Sequence, residues 1–303
     1  ANAVHHDPEK KVLSVTMSIE ELSEKVGTDS KAVKNMIREG KAKLLSERDK
    51  RTKPFIDNAL YTSLNGMMIA AYLKAYRVLQ DETIRDRALK SLGRILEINA
   101  ADGRLCHTEG VKALLDDYVY LVDALLSAYE ATGGAAYLEK AQRFMDRCIE
   151  LFRDEEKGGF FDTDEEVVGT RLKGVEDIPR PSANALAIMT LVKLSLMTGD
   201  DRYRHLAESS LKLFASQAQI IGLHAGYYFC AMDAFFNMLK LDISTQPMSP
   251  LAMEALRAFY PYMVIRYGGD SGNIIPCVGN TCYDPIDNAD SLKTFLSRIS
   301  HER

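Results

Sequence analysis

Tryptophan is absent from this 303-residue sequence, and cysteine is scarce. The five cysteines, Cys106, Cys148, Cys230, Cys277 and Cys282, are too sparse for a fold built on disulfides. No Cys-x-x-Cys occurs, which excludes the usual redox dithiol and zinc ribbon. Cys277 and Cys282 have no histidine neighbours to complete a zinc site. Buried or loop thiols are the expectation for them, with a bridge between the two as the alternative. No metal and no cofactor is expected. No apolar run approaches the roughly 20 residues of a membrane helix, and the opening ANAVHHDPEKK lacks the apolar core of a signal peptide. Long runs of one charge are also missing, and a net charge of −5 is spread along the chain. A nucleic-acid partner and a membrane partner are therefore not expected. A reducing, cytoplasmic setting is the expectation.

What the chain does have is hydrophobic content, 46%, enough for a substantial core, and a repeat. From Pro181 to Phe214 two helical patterns flank Thr198-Gly199-Asp200-Asp201. The first carries small and apolar residues on nearly every face, so it expects burial all round. The second is amphipathic, with Tyr203, Leu206, Ala207, Leu211 and Phe214 on one stripe. An inner helix followed by an outer one is an αα-hairpin. Counting from Asn184, Gly199 and Ala207 have counterparts at Gly133 and Ala141 from Tyr118, and at Gln80 and Ala88 from Asn65. A fourth inner helix, from His224, has no outer partner of this kind. Hairpins in series bury a joint core that one cannot bury alone.

Around the repeat three regions are expected: a helical lead-in over 1–53, hairpins over 54–240, and a small α/β appendage over 241–303. In the lead-in, residues 1–17 are extended and Ser18 to Glu21 forms a capping-box start. Gly27-Thr28-Asp29 turns the chain into a longer helix ending near Arg51. This pair imitates a helix-turn-helix, but a third helix and a clear basic face are missing, so a packed lead-in is the reading. Between the second and third hairpins, Gly158 to Asp162 and Thr170 to Lys173 read as a β-hairpin. In the appendage, strands are expected near Leu241–Ile243, Tyr262–Arg266 and Asn273–Cys277, with helices over Pro250–Phe259 and Asn288–Ile299.

Six stretches then stand out: Arg48 to Pro54 (RDKRTKP), Thr62 to Gly66 (TSLNG), Leu115 to Tyr118 (LDDY), Gly158 to Phe161 (GGFF), Pro181 to Asn184 (PSAN), and Cys277 to Cys282 (CVGNTC) with Asp284-Pro285. In this order they resemble the C-terminal part of the spermatogenesis-associated protein 20 family. The resemblance covers almost the whole chain. It implies a mainly α protein with a partial (α/α)6 toroid, akin to six-hairpin glycosidases and N-acylglucosamine 2-epimerases. It further implies a thioredoxin-like domain and earlier barrel helices outside this sequence. A missing N-terminal half, a partner chain or a second copy would then complete the toroid. Where the family has Asp-Asp-Lys and Trp-Asn-Gly, this chain has Asp57-Asn58-Ala59 and Leu64-Asn65-Gly66.

Two functions follow, a carbohydrate-type enzyme or its remnant, and a non-catalytic scaffold that presents a surface. For the first, Asp117 and Tyr118 would stand at a toroid mouth, where a carboxylate can bind a polyol or move a proton. Glycosidase chemistry needs a second carboxylate, and Asp57, Glu176 and Asp177 are candidates. Asn184 and Arg180, with Asn65 opposite, would add polar contacts, and Phe160 and Phe161 an apolar wall. Arg171 is a further anion-binding candidate, and His107 and His224 are possible proton carriers. For the second function, Asp117 and Asn184 only cap and brace the helices. No catalytic residue is assigned.

Overall fold

The computed structural model describes residues 2–4, 7–100, 104–167, 169–279 and 281–301. Asn280 of the CVGNTC stretch lies outside them. Two compact units are formed, residues 1–58 and 59–303. The first begins with an antiparallel pair, β1 (Asn2–Val4) and β2 (Asp7–Val12). Helices α1 (Ile19–Val26) and α2 (Ser30–Asp49) follow. The capping box is complete: Ser18 Oγ accepts from the Glu21 amide at 3.1 Å, and the Ser18 amide donates to the Glu21 carboxylate at 2.7 Å. Gly27 closes α1 at φ 65°, in the left-handed region glycine enters freely.

The second unit contains the hairpins. Helices α3 (Thr62–Leu79) and α4 (Glu82–Asn99) form one, α5 (Leu115–Thr132) and α6 (Ala135–Phe152) the next. The third is α7 (Ala183–Thr198) with α8 (Asp201–Ile221), and α9 (Gly226–Asn237) follows. The inner helices of the three hairpins end on the residues the repeat marks: Gly133 and Gly199 at φ 68° and 75°, and Gln80 at φ 56°. Gln80 tolerates this conformation with added bonding, since its side-chain amide donates to the Arg77 carbonyl at 2.8 Å. The inner helices stand side by side in the order α3, α5, α7, α9, with α4, α6 and α8 behind them. Helices α5 and α7 are buried almost throughout, including Leu186, Leu191 and Leu194. The outer helices bury one stripe each, such as Ala141, Met145, Cys148 and Phe152 on α6. This is an arc of a toroid: a mainly α, partial (α/α)6 architecture.

A sheet of order β6-β5-β7-β8 completes the unit, from strands β5 (Leu239–Ile243), β6 (Met263–Tyr267), β7 (Ile274–Val278) and β8 (Thr281–Cys282). Helices α10 (Pro250–Arg257) and α11 (Ala289–His301) accompany it. The appendage and the hairpins thus share one compact unit. Glu130 at the end of α5 joins them, accepting from the Ile265 amide at 3.2 Å. Two readings are corrected. Cys277 and Cys282 are disulfide-bonded rather than free thiols, because the β7–β8 register sets them directly opposite each other. The segments Gly158–Asp162 and Thr170–Lys173 form no strand pair. One bridge, Arg153 to Phe160, and one bond, from the Asp162 amide to the Leu172 carbonyl at 2.8 Å, organise that loop instead. Between β3 (Cys106–Thr108) and β4 (Val111–Lys112) a second short hairpin leads into α5.

Helix α3 approaches α5 closely at Gly66, where an added Cβ would lie 2.8 Å from the Tyr120 carbonyl group. Backbone atoms cannot give way as a flexible side chain can. Gly66→Ala is expected to destabilise the protein by about 1–3 kcal/mol in urea denaturation. Gly93→Ala on α4, where a Cβ meets open space, should raise stability by about 0.5–1 kcal/mol, since it only removes a helix-interior glycine.

Candidate functional site

The amino ends of the inner helices are tied together by side chains. Asp117 is fully buried: one oxygen accepts from the Ser63 amide at the start of α3, the other from the Leu114 amide ahead of α5, both at 2.9 Å. His107 Nδ1 stands 3.1 and 3.0 Å from the same two oxygens. Asn184 closes both of its polar groups on the backbone of one residue, accepting from the Phe160 amide and donating to the Phe160 carbonyl at 2.8 Å each. Asp177 accepts from the Ser182 amide before α7 and from the Tyr227 amide of α9, both at 2.8 Å. Tyr120 Oη donates to the Pro181 carbonyl at 2.7 Å. Each bond satisfies a helix-end or loop group that burial would otherwise leave unpaired.

The same ends border a cavity of about 560 Å³ at the entrance to α5 and α7. Its polar lining includes Asp116, Asp162, Thr163, Glu176, Arg180, Ser182 and Gln217, and Leu114, Leu172 and Ile178 supply apolar surface. Arg180 pairs with Asp116 across the cavity, and its guanidinium also lies 5.8 Å from the Tyr120 ring centre. Asp162 is reachable from solvent, yet the protein packed around its carboxyl raises its pKa above the ordinary aspartate value. No ion pair or hydrogen bond holds that carboxyl among the described residues. The loop behind it is fixed by Asp154, whose pKa is pulled down to about 2 by Lys173 and by the Lys157 and Glu156 amides. Lys173 reaches Asp154 at 2.5 Å and the Gly158 carbonyl at 2.8 Å.

Of the seven expected ligand-binding residues, Arg180 lines this cavity. Asp117 and Asn184 sit beneath it as braces. Tyr118 is buried between the hairpin's two helices, edge-on to Phe144 and Phe152. Phe160 is buried, and the face of Phe161 is covered by the Arg171 guanidinium, 4.2 Å from the ring centre. Asn65 caps back to the Tyr61 carbonyl and borders a separate groove between α3 and α4. Among the second carboxylates, Glu176 lines the cavity, Asp177 is a brace, and Asp57 belongs to the other compact unit. His107 is engaged by Asp117, and the His224 carbonyl accepts from the Asp177 amide at 2.5 Å. Asp116, Asp162, Thr163 and Gln217 were not expected. Asp116 had a signal, an acid beside Asp117 one residue nearer the helix end. Gln217 on α8 had none, because the loop that brings it near is irregular.

Removal of a brace should therefore cost stability. Asn184→Ala leaves the Phe160 backbone N–H and C=O buried and unpaired, a loss of about 2–4 kcal/mol in urea denaturation. Asp117→Asn keeps the shape but turns an amide NH₂ toward a donor, a loss of about 1–3 kcal/mol.

No family model matches the chain. Among curated proteins it is 33% identical over 207 residues to spermatogenesis-associated protein 20 of Homo sapiens, covering 62% of this chain and 26% of that protein. The Mus musculus protein of the same name is 31% identical over 207 residues, with the same coverage. The chain spans about a quarter of the length of these relatives. Solved structures with a similar backbone course include a GH76 α-mannanase of Bacteroides thetaiotaomicron, at 18% identity and TM-score 0.48, covering 59% of this chain and 53% of that one. Another is cellobiose 2-epimerase of Bacillus thermoamylovorans, at 17% identity and TM-score 0.43, covering 52% and 45%. By sequence, about three fifths of the chain is similar to spermatogenesis-associated protein 20.

Proposed function

We propose that the chain binds a hydroxyl-rich, carbohydrate-like small molecule in the cavity at the entrance to α5 and α7. The observation that carries this reading is the lining itself. An ion pair (Asp116 and Arg180), an uncommitted acid (Asp162) and neutral polar groups (Thr163, Ser182, Gln217) border one space of about 560 Å³. That volume is within the range of small-molecule sites. Paired acids and guanidinium groups offer both acceptors and donors, which a polyol needs in equal measure. Asp162 holds its proton more firmly than an ordinary aspartate, which suits it to donate toward a hydroxyl or glycosidic oxygen. Asp117 and Asn184 serve this site by fixing the backbone around it. Calorimetric titration with a panel of monosaccharides, disaccharides and inositol tests the reading. Saturable binding of at least one sugar is expected, weakened about tenfold or more by Arg180→Ala, the size of one lost charge-assisted bond. An absence of binding across the panel, or binding indifferent to Arg180→Ala and Asp162→Asn alike, would refute it.

A second reading, a helical scaffold that pairs with a partner chain, the remaining part of a longer protein or a second copy, is favoured by α9. Phe229, Met232 and Phe236 follow one stripe of that helix and are 38%, 37% and 63% exposed. No outer helix covers them among the described residues, unlike the other three inner helices. An apolar stripe of this kind favours association. Light scattering should show a mass that rises with concentration, and Phe236→Glu should abolish the rise. A monomer at every concentration would count against self-pairing.

A further inference from the structure

Away from that cavity, the inner helices carry charge where their packing asks for none. Beyond their first turns, α3, α5 and α7 contain five ionisable acids and bases: Lys74 and Arg77, Asp123 and Glu130, and Lys193. Lys193 is the sole charged residue of α7. All five meet in one place. Lys74, Arg77, Glu130 and Lys193 border a basin of about 230 Å³ together with Tyr227 of α9. Asp123 lies between the lysines, 2.8 Å from Lys193 Nζ and 3.6 Å from Lys74 Nζ.

The bonding in this cluster is unbalanced. Every carboxylate oxygen has a partner: Asp123 Oδ1 with Lys193 and Oδ2 with Lys74, Glu130 Oε1 with the Ile265 amide and Oε2 with Arg77 at 3.5 Å. The donors are not. An ammonium has three N–H groups and a guanidinium five. Lys193 has one short contact, Lys74 only the long one, and Arg77 directs Nε to the Leu256 carbonyl and Nη1 to Glu130. The Tyr227 hydroxyl has no hydrogen-bond partner among the described residues. Three cations also face two anions. Burial pushes Lys193 toward its neutral form, but Asp123 and Glu130 together outweigh this and hold its pKa above the ordinary lysine value. The cluster therefore stays charged, with donors in excess of acceptors.

A purely structural network would need neither the surplus nor the space. Buried ion pairs add little net stability over apolar packing, and surplus donors in a partly buried site lose hydration without gaining partners. We propose that the basin binds a small organic anion, its carboxylate or phosphate held by Lys74, Lys193 and Tyr227 and its carbon body set against Met189, Met238 and Met263. The methionines line the same space and adapt readily to varied apolar shapes. A volume below that of typical drug-sized sites favours a compact ligand.

Calorimetric titrations of the full chain at low ionic strength, with inorganic phosphate in one series and pyruvate in another, test this directly. Saturable binding of a single equivalent is expected in at least one series, and the series that responds identifies the head group. Lys74→Ala should weaken it about tenfold or more, the effect of losing one charge-assisted partner. Lys74 is 57% exposed at its side chain, so this variant should fold; if Lys193→Met does not, Lys74→Ala still decides. Lys212→Ala, the same charge loss on the outer helix α8, should leave the affinity unchanged. No saturable uptake in either series, or equal weakening by Lys74→Ala and Lys212→Ala, would overturn the proposal.

Discussion

The structure depends on how the amino ends of its inner helices are held. Helices α3, α5, α7 and α9 are joined in sequence only through outer helices and loops, so their tops have no covalent reason to align. Three short side chains supply it. Asp117 holds α3 to α5, Asn184 fixes the Gly158–Phe161 loop to α7, and Asp177 holds α7 to α9. Each acts on backbone groups, which cannot change identity by substitution, and each is buried or half-buried, where an unpaired amide is costly. Apolar packing explains why the helices adhere. These polar ties explain why they adhere in one register.

That division of labour accounts for what could be read from the sequence. Hairpin positions were legible because they follow a spacing: the turn residues it marks, Gln80, Gly133 and Gly199, all lie at the helix ends in the left-handed conformation. Inner and outer roles were legible because composition records burial, as in the nearly uniform apolar surface of α7. The strands and helices of the appendage were found within a few residues of their places. The loop from Gly158 to Lys173 was misread as a strand pair because its glycines and aromatics satisfy a hairpin pattern. Among its stays is an asparagine reaching from α7, a contact that no local pattern encodes.

The candidate site was legible only in part, for a related reason. Asp117 and Asn184 attracted attention as polar residues at helix entrances, and such residues have two possible partners, a ligand or the chain's own amides. Sequence cannot choose between them, because the choice rests on whether a backbone N–H lies within about 3 Å. Here it does, and the residues that border open space are their neighbours. Asp116 is one position from Asp117 and faces Arg180 in the cavity, while Asp117 faces the interior. On a helix, one residue is a rotation of about 100°. A motif can therefore be placed correctly and its working residue still be missed by one.

The interior cluster on α3, α5 and α7 shows the converse case. Lys193 stands alone in an apolar helix, and without a partner a lysine there would favour its neutral form or disrupt the packing. Asp123, from the adjacent helix, makes it tolerable. But one carboxylate would have been enough for one lysine. Lys74 and Arg77 add two more cations on the same side, against the single further carboxylate of Glu130. Selection for stability alone has no use for the extra donors, since apolar side chains of similar volume would pack at least as well. A surplus of donors beside open space is the arrangement that a protein keeps when something else supplies the acceptor.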